Sequence, residues 1–81
     1  MIEMVDLKQL LVDLARAIVD QPDAVSVSEE TEGNEIVLHL HVAEGDMGKV
    51  IGRHGKIARS IRLVMKSAAT SVGKHVTVEI D

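Results

Sequence analysis

The sequence predicts an α+β fold with the element order α-β-β-α-α-β, in which three helices cover one face of a three-stranded sheet. Two segments repeat apolar side chains at helical spacing, and three segments alternate apolar and polar side chains as half-buried strands do. A short helical segment is separated from a long one by two glycines. The helices are expected at residues 7–20, 47–51 and 56–72, and the strands at 24–30, 35–43 and 75–80. With 81 residues, the chain is expected to form a single domain spanning 1–81.

The first helix is predicted from a stripe of large aliphatic residues. The stripe consists of Leu7, Leu10, Leu11, Leu14 and Ile18. Asp6 stands just before it as the expected N-cap, and Gln9 is the expected capping-box partner. Pro22 is expected to end the helix, because the residue before a proline is disfavoured in helical geometry.

The strands are predicted from their alternation, which assigns one face to the core and the other to solvent. The expected inward residues are Val25, Val27, Ile36, Leu38, Leu40, Val42, Val76, Val78 and Ile80. Gly33 and Asn34 separate the first two strands and favour the positive φ that a tight hairpin requires.

The second half of the chain is predicted to hold a short helix, capped by Asp46, and a long helix that Gly73 ends. The expected apolar stripe of the long helix is Ile57, Ile61, Val64, Met65, Ala68 and Val72. Its polar side is expected to carry Lys56, Arg59, Arg62 and Lys66.

The charge is divided between the two halves of the chain. The net charge is −4, yet residues 1–46 carry eleven acidic and two basic side chains, whereas residues 47–81 carry seven basic and two acidic ones. No acidic residue occurs between Met47 and Val78. This asymmetry indicates a basic surface on an acidic body, as in proteins that bind nucleic acid.

Several classes of function are disfavoured by composition. The chain has no cysteine for disulfides or thiolate metal sites, and no basic, apolar leader at its N-terminus. No apolar run approaches the roughly 18 residues of a membrane span. We therefore expect a soluble cytoplasmic protein without membrane association. Neither a G-x-S-x-G turn nor a phosphate-loop lysine is present, so no enzyme activity and no cofactor are expected.

A metal site is also not expected. By alternation, His39, His41 and His75 fall on the outward face of the sheet, but no pattern makes them converge and no carboxylate or thiolate is placed to complete a ligand set.

The most informative segment reads Val-Ile-Gly-Arg-His-Gly-Lys-Ile over residues 50–57. Gly52 and Gly55 allow a sharp turn and leave room for a close partner. The long helix starts just after them, and its first amides and positive dipole end suit a phosphate. The simpler interpretation is a helix cap and a turn with solvated charges. The position between two helices within the basic half favours phosphate binding instead.

This segment resembles the I-G-x-x-G core of KH domains, a loop that clamps four backbone nucleotides. The element order resembles the type II KH arrangement, and the length is closest to the small bacterial KhpA family. The resemblance implies that Gly52, Arg53, His54 and Gly55 bind RNA, that Ile51 and Ile57 line the groove, and that Lys56 flanks it. The charge pattern adds Arg59, one turn further on, and Lys49.

The same resemblance implies an RNA chaperone that binds single-stranded RNA and pairs with a larger KhpB-like KH protein, with links to cell shape and cell-wall homeostasis. A homodimer is also expected. The alternative is a protein-interaction module that mainly dimerises and contacts RNA incidentally, which the acidic net charge and small core favour.

Overall fold

The computed structural model describes residues 6–81. Helix α1 spans Leu7–Arg16 and begins where the Asp6 carboxylate accepts the Gln9 backbone N–H at 3.0 Å. The predicted N-cap is therefore confirmed. The reciprocal capping-box bond is not formed, because the Gln9 side-chain amide donates to the Asp13 carboxylate at 2.9 Å instead.

Helix α1 ends four residues earlier than the sequence predicts. The Ile18 N–H bonds to the Ala15 carbonyl at 3.1 Å in a tighter turn, and a short 3-10 turn follows at Pro22–Ala24. Between them, the N–H groups of Asp20 and Gln21 donate to the side chain of a distant residue, which is described below. Long-range hydrogen bonds thus replace the last turn of the predicted helix.

Three strands form one mixed sheet in the order β1-β2-β3. Strand β1 spans Ser26–Glu32, β2 spans Glu35–His41 and β3 spans His75–Ile80. The first two are antiparallel and are joined by a turn in which Gly33 has a φ of 63°. Strand β3 runs parallel to β2, which requires a crossover connection between them.

The helices of the second half form this crossover. A 3-10 turn at Glu44–Asp46 leads into α2, Met47–Ile51, and a second 3-10 turn at Arg53–Gly55 leads into α3, Lys56–Ser71. Gly73, with a φ of 74°, ends α3, and the next N–H, that of Lys74, bonds to the Ala69 carbonyl at 2.9 Å. The predicted α-β-β-α-α-β order and three-stranded sheet are confirmed.

The core lies between the sheet and one face of the helices. Its buried residues are Leu7, Leu11, Ala15, Val25, Val27, Ile36, Leu38, Leu40, Ile61, Met65, Ala69 and Val78. Val42, Val76 and Ile80, predicted to point inward, are partly buried against this cluster.

The inward stripe of α3 differs from the predicted one. The buried positions are Ala58, Ile61, Met65 and Ala69, whereas Ile57 and Val64 are 38% and 44% exposed. The larger Ile57 and Val64 lie at the edge of α3 that faces α1.

Arg62 is exposed, as expected for the polar side of α3, but it also makes a contact that was not predicted. Its Nε donates to the Val78 carbonyl of β3 at 3.2 Å. One side of α3 therefore faces the edge strand of the sheet and the other faces α1.

The outward face of the sheet carries the histidines. His39 Nε2 lies 3.7 Å from Glu30 Oε1, and His41 Nδ1 lies 3.6 Å from Asp81 Oδ2. Within residues 6–81, no three His, Cys, Asp or Glu side chains form a group that could hold a metal ion. In the same part of the chain, no helix is long and apolar enough to cross a bilayer.

Candidate nucleic-acid interface

Residues 52–55 form a loop, called here the 52–55 loop, that joins α2 to α3. The Gly52 N–H bonds to the Gly48 carbonyl at 2.9 Å and closes α2. Gly52 then takes φ 76° and ψ 175°, a conformation that is essentially restricted to glycine. The chain direction therefore changes abruptly at this residue.

Gly52 is in close contact with Ile57 at the start of α3. A Cβ built on Gly52 would overlap Ile57 Cγ1 and would lie 2.8 Å from both Ile57 Cβ and the Ile57 backbone nitrogen. Real Cβ atoms essentially never show contacts this short. Position 52 must therefore be glycine for steric as well as conformational reasons.

The rest of the loop is left-handed and internally bonded. His54 has φ 58° and Gly55 has φ 74°, and a Cβ added to Gly55 would meet nothing within 4 Å. The Gly55 N–H bonds to the Gly52 carbonyl at 3.2 Å, and the Lys56 N–H bonds to the Arg53 carbonyl. The loop thus has a defined conformation, and the space outside Gly55 is open to a partner.

Arg59 supports this conformation from α3. Its Nη2 donates to the His54 carbonyl at 3.2 Å. Since His54 is the one non-glycine residue with positive φ among residues 6–81, this bond holds the carbonyl of a strained residue. The guanidinium has further donors for a phosphate at the same place.

The loop presents basic side chains to solvent. Arg53, His54 and Lys56 are exposed. Among residues 6–81, the three ion pairs involve neither Arg53 nor Lys56 nor Arg59. Their charges remain available to an anionic partner, as the charge distribution in the sequence indicates.

Lys49 is in a different situation. It lies on α2, and its Nζ is 3.5 Å from the Asp20 carboxylate. The pair is partly solvated, so it is weak and exchangeable. A role of Lys49 in RNA contact stays a prediction, and here its charge is shared with Asp20.

The two isoleucines that flank the loop lie in different environments. Ile51 is half-buried at the end of α2, whereas Ile57 lines a shallow apolar groove between α1 and α3. This apolar groove is lined by Leu14, Ile18, Ile57, Ser60, Ile61 and Val64. The structure therefore directs Ile57 toward α1.

Asp46 is a structurally important residue whose role was missed. It was predicted to cap α2 but makes no side-chain capping bond to it. It is only 2% exposed, and its two carboxylate oxygens accept the N–H groups of Asp20 and Gln21 at 3.2 and 3.0 Å. These partners lie 26 and 25 residues away, and an aspartate before a helix is the usual signal of a cap, so the sequence carried no sign of this contact.

The sequence of the chain matches a known protein family over nearly its whole length. The sequence model of the KhpA/KhpB KH-domain family matches residues 8–80. The chain belongs to the KhpA/KhpB KH-domain family. The resemblance inferred from residues 50–57 is thus confirmed, and the family is not one of enzymes.

Relatives of this KH domain match over nearly their whole length. The RNA-binding protein KhpA of Clostridium acetobutylicum is 54% identical over 74 residues, covering 91% of this chain and 99% of its own. The RNA-binding protein KhpA of Caldanaerobacter subterraneus subsp. tengcongensis is 49% identical over 72 residues, covering 89% of this chain and 96% of its own.

The fold is also found in a solved structure. The crystal structure of Era in complex with MgGDPNP and nucleotides 1506–1542 of 16S ribosomal RNA superposes with a TM-score of 0.66 at 16% identity. The match covers 91% of this chain but 28% of that chain. This likeness supports the type II KH topology of the domain.

Proposed function

We propose that residues 1–81 act as one KH domain that binds single-stranded RNA through the 52–55 loop, with the cytoplasm as the expected compartment. The observation that carries the proposal is the loop itself. It combines a glycine-only turn, open space outside Gly55 and exposed cations at the start of α3. Each of these features favours a close approach of the phosphate backbone. The names of the KhpA relatives support the same ligand.

In this proposal the residues have separate roles. Arg53 and Lys56 meet phosphates directly, and Gly52 and Gly55 let the strand approach the loop backbone. His54 donates to a phosphate or a base edge. Ile51 and Ile57 contact the bases and sugars nearest the loop, whereas Arg59 and Lys49 supply charge at its two ends.

The salt dependence of binding follows from the number of cations. If Arg53, Lys56 and Arg59 each neutralise one phosphate, log K should fall with log salt at a slope of about −2, because single strands give about −0.7 per contact. A fourfold rise in salt would then weaken binding by roughly 20-fold.

The test is fluorescence anisotropy of a labelled single-stranded RNA of mixed sequence at two salt concentrations. The variant Arg53→Asp/His54→Asp is expected to lose binding and to stay folded, since aspartate tolerates the left-handed conformation of residue 54. The matched control is Lys74→Asp/His75→Asp, which makes the same types of change about 24 Å away, at the other end of the sixteen-residue α3. Equal binding by the wild type and the loop variant would refute the proposal.

A second candidate function is protein association, and the apolar groove favours it. Ile18, Ile57 and Val64 are 37%, 38% and 44% exposed and line this groove together. Adjacent large aliphatic side chains that remain exposed mark a surface for a partner. We propose that the groove is covered by a second KH domain, either another copy or a KhpB-like protein. Pairing of two RNA sites would raise the affinity for one strand.

This proposal extends to the cellular role that the family resemblance implies, an RNA chaperone linked to cell shape and the cell wall. Its molecular part is testable with Val64→Glu, which places a charge in the groove, and Leu63→Glu as the control. Leu63 is 65% exposed and does not line the groove. Sedimentation velocity should show dimer loss in the first variant alone. A wild type that stays monomeric at high concentration would refute self-association through the groove.

A further inference from the structure

Asp46 is the one charged residue that is buried among residues 6–81, and RNA binding as proposed does not use it. It occupies the position of a helix N-cap but leaves α2 without a side-chain cap. Both carboxylate oxygens instead accept successive backbone N–H groups of the segment that follows α1. Ionised acceptors bonded to two amides hold their partners more strongly and more directionally than neutral ones.

The helix that Asp46 precedes has little else to hold it. Helix α2 has five residues, too few to be stable alone. Val50 is fully buried, and Lys49 pairs with the Asp20 carboxylate at 3.5 Å. That ion pair is solvated and weak, so the two bonds of Asp46 are the main restraint on the rotation of α2 about Val50, its one buried residue.

The position of α2 determines where the loop begins. Gly52 follows directly after α2, and its contact with Ile57 tolerates no added atom. Because α2 has only five residues, about one and a half turns, a displacement of its first residue also displaces the start of the 52–55 loop. The Asp46 carboxylate and the Gly52 turn therefore constrain the two ends of α2.

We propose that Asp46 is a positioning residue for RNA binding. By holding the segment after α1, it sets the orientation of α2 and with it the conformation of the 52–55 loop. The inference rests on the proposed function for its effect on RNA affinity, whereas its effect on the loop can be measured without RNA.

The experiment compares Asp46→Asn with two controls by anisotropy and by the amide resonances of Gly52 and Gly55. Asparagine keeps one acceptor and turns an amide donor toward the second N–H, so the two-point contact is lost with almost no change in shape. Asp20→Asn removes the Lys49 pair but keeps the backbone N–H that Asp46 binds. Ile36→Val weakens the core remote from the loop.

We expect Asp46→Asn to bind RNA about tenfold more weakly with an unchanged salt slope, because the phosphate contacts are displaced and not removed. The Gly52 and Gly55 resonances should shift. Asp20→Asn should bind within about twofold of the wild type, since the exposed ion pair it removes is worth little. Ile36→Val should lose stability without losing affinity.

Two results would overturn the inference. The first is a folded Asp46→Asn variant that binds RNA like the wild type and has unshifted glycine resonances. The second is an equal loss of RNA affinity in Ile36→Val when the two variants have the same free energy of unfolding. Should Asp46→Asn fail to fold, Asp46→Ser, which keeps one hydroxyl acceptor, is assessed by the same criteria. If the wild type does not bind RNA, the proposed function fails, and the glycine resonances alone then decide whether Asp46 positions the loop.

Discussion

Replacing Gly52 with alanine adds one methyl group at the point where α2 and α3 are closest. The new Cβ would overlap Ile57 Cγ1 and lie 2.8 Å from the Ile57 backbone nitrogen. The backbone at φ 76° and ψ 175° is also unfavourable for any L side chain. An alanine side chain has no rotamers with which to avoid either problem, so the loop backbone must move.

The expected cost combines two terms. A residue held in this region of the Ramachandran map costs about 1–3 kcal/mol. An extra methyl group in a packed contact costs about 1–3 kcal/mol more. The total of about 2–6 kcal/mol is comparable to the whole stability of a domain of this size, about 4–12 kcal/mol at the usual value per residue.

Two other glycines provide matched controls. Gly55→Ala meets no atom within 4 Å, so only its φ of 74° is penalised, at about 1–2 kcal/mol. Gly48→Ala lies in α2 with open space and without positive φ, and it should stabilise the protein by up to about 1 kcal/mol. The three substitutions add the same methyl group in three different environments.

The assay is urea unfolding of all three variants, followed by far-UV circular dichroism. Adding Ile57→Ala to Gly52→Ala should restore part of the loss, because it removes the Cγ1 overlap but leaves the contact with the Ile57 backbone nitrogen. The reasoning is refuted if Gly52→Ala is within about 0.5 kcal/mol of Gly55→Ala, a difference typical of surface changes.

Three further predictions concern single contacts. Asp6→Ala should lower the free energy of unfolding by about 1 kcal/mol through loss of the α1 cap, and thermal unfolding should show a drop of roughly 4–8 °C. Arg62→Met, which keeps the aliphatic stem, should lower the free energy of unfolding in urea by about 0.5–1 kcal/mol, because water can replace the bond to the Val78 carbonyl at the sheet edge. A decrease of more than about 2 kcal/mol would contradict this. A double-mutant cycle on Lys49 and Asp20 should give a coupling of at most about 1 kcal/mol that disappears in high salt.

Local patterns predicted most of the fold because the responsible forces are local. The alternation in residues 35–43 placed Ile36, Leu38 and Leu40 on the buried face, and the cap at Asp6 depends on a neighbour three residues away. The bounds of α2 and β3 were also correct, since Gly52 ends α2 and the turn at Gly73 precedes β3.

The errors occurred where partners are distant in the sequence. The end of α1 and the role of Asp46 are two aspects of one contact, in which N–H groups expected to continue a helix bind a carboxylate 25 and 26 residues away. The bond from Arg62 to the Val78 carbonyl was not predicted, because periodicity identifies the polar side of a helix but not which strand lies next to it. Within the loop, the motif predicted the two glycines, yet their different roles depend on Ile57, which contacts only Gly52.

Helix α3 contributes to both proposed surfaces. Lys56 and Arg59 lie in its first turn beside the 52–55 loop, whereas Ile57 and Val64 line the apolar groove toward α1. The surfaces meet at the first turn, where Ile57 contacts Gly52 and also lines the groove. A partner in the groove would therefore touch the residue that limits the loop geometry. Association and RNA affinity should be coupled through Ile57, so Ile57→Ala should weaken both, whereas Val64→Glu should weaken association and leave the RNA affinity of the monomer unchanged.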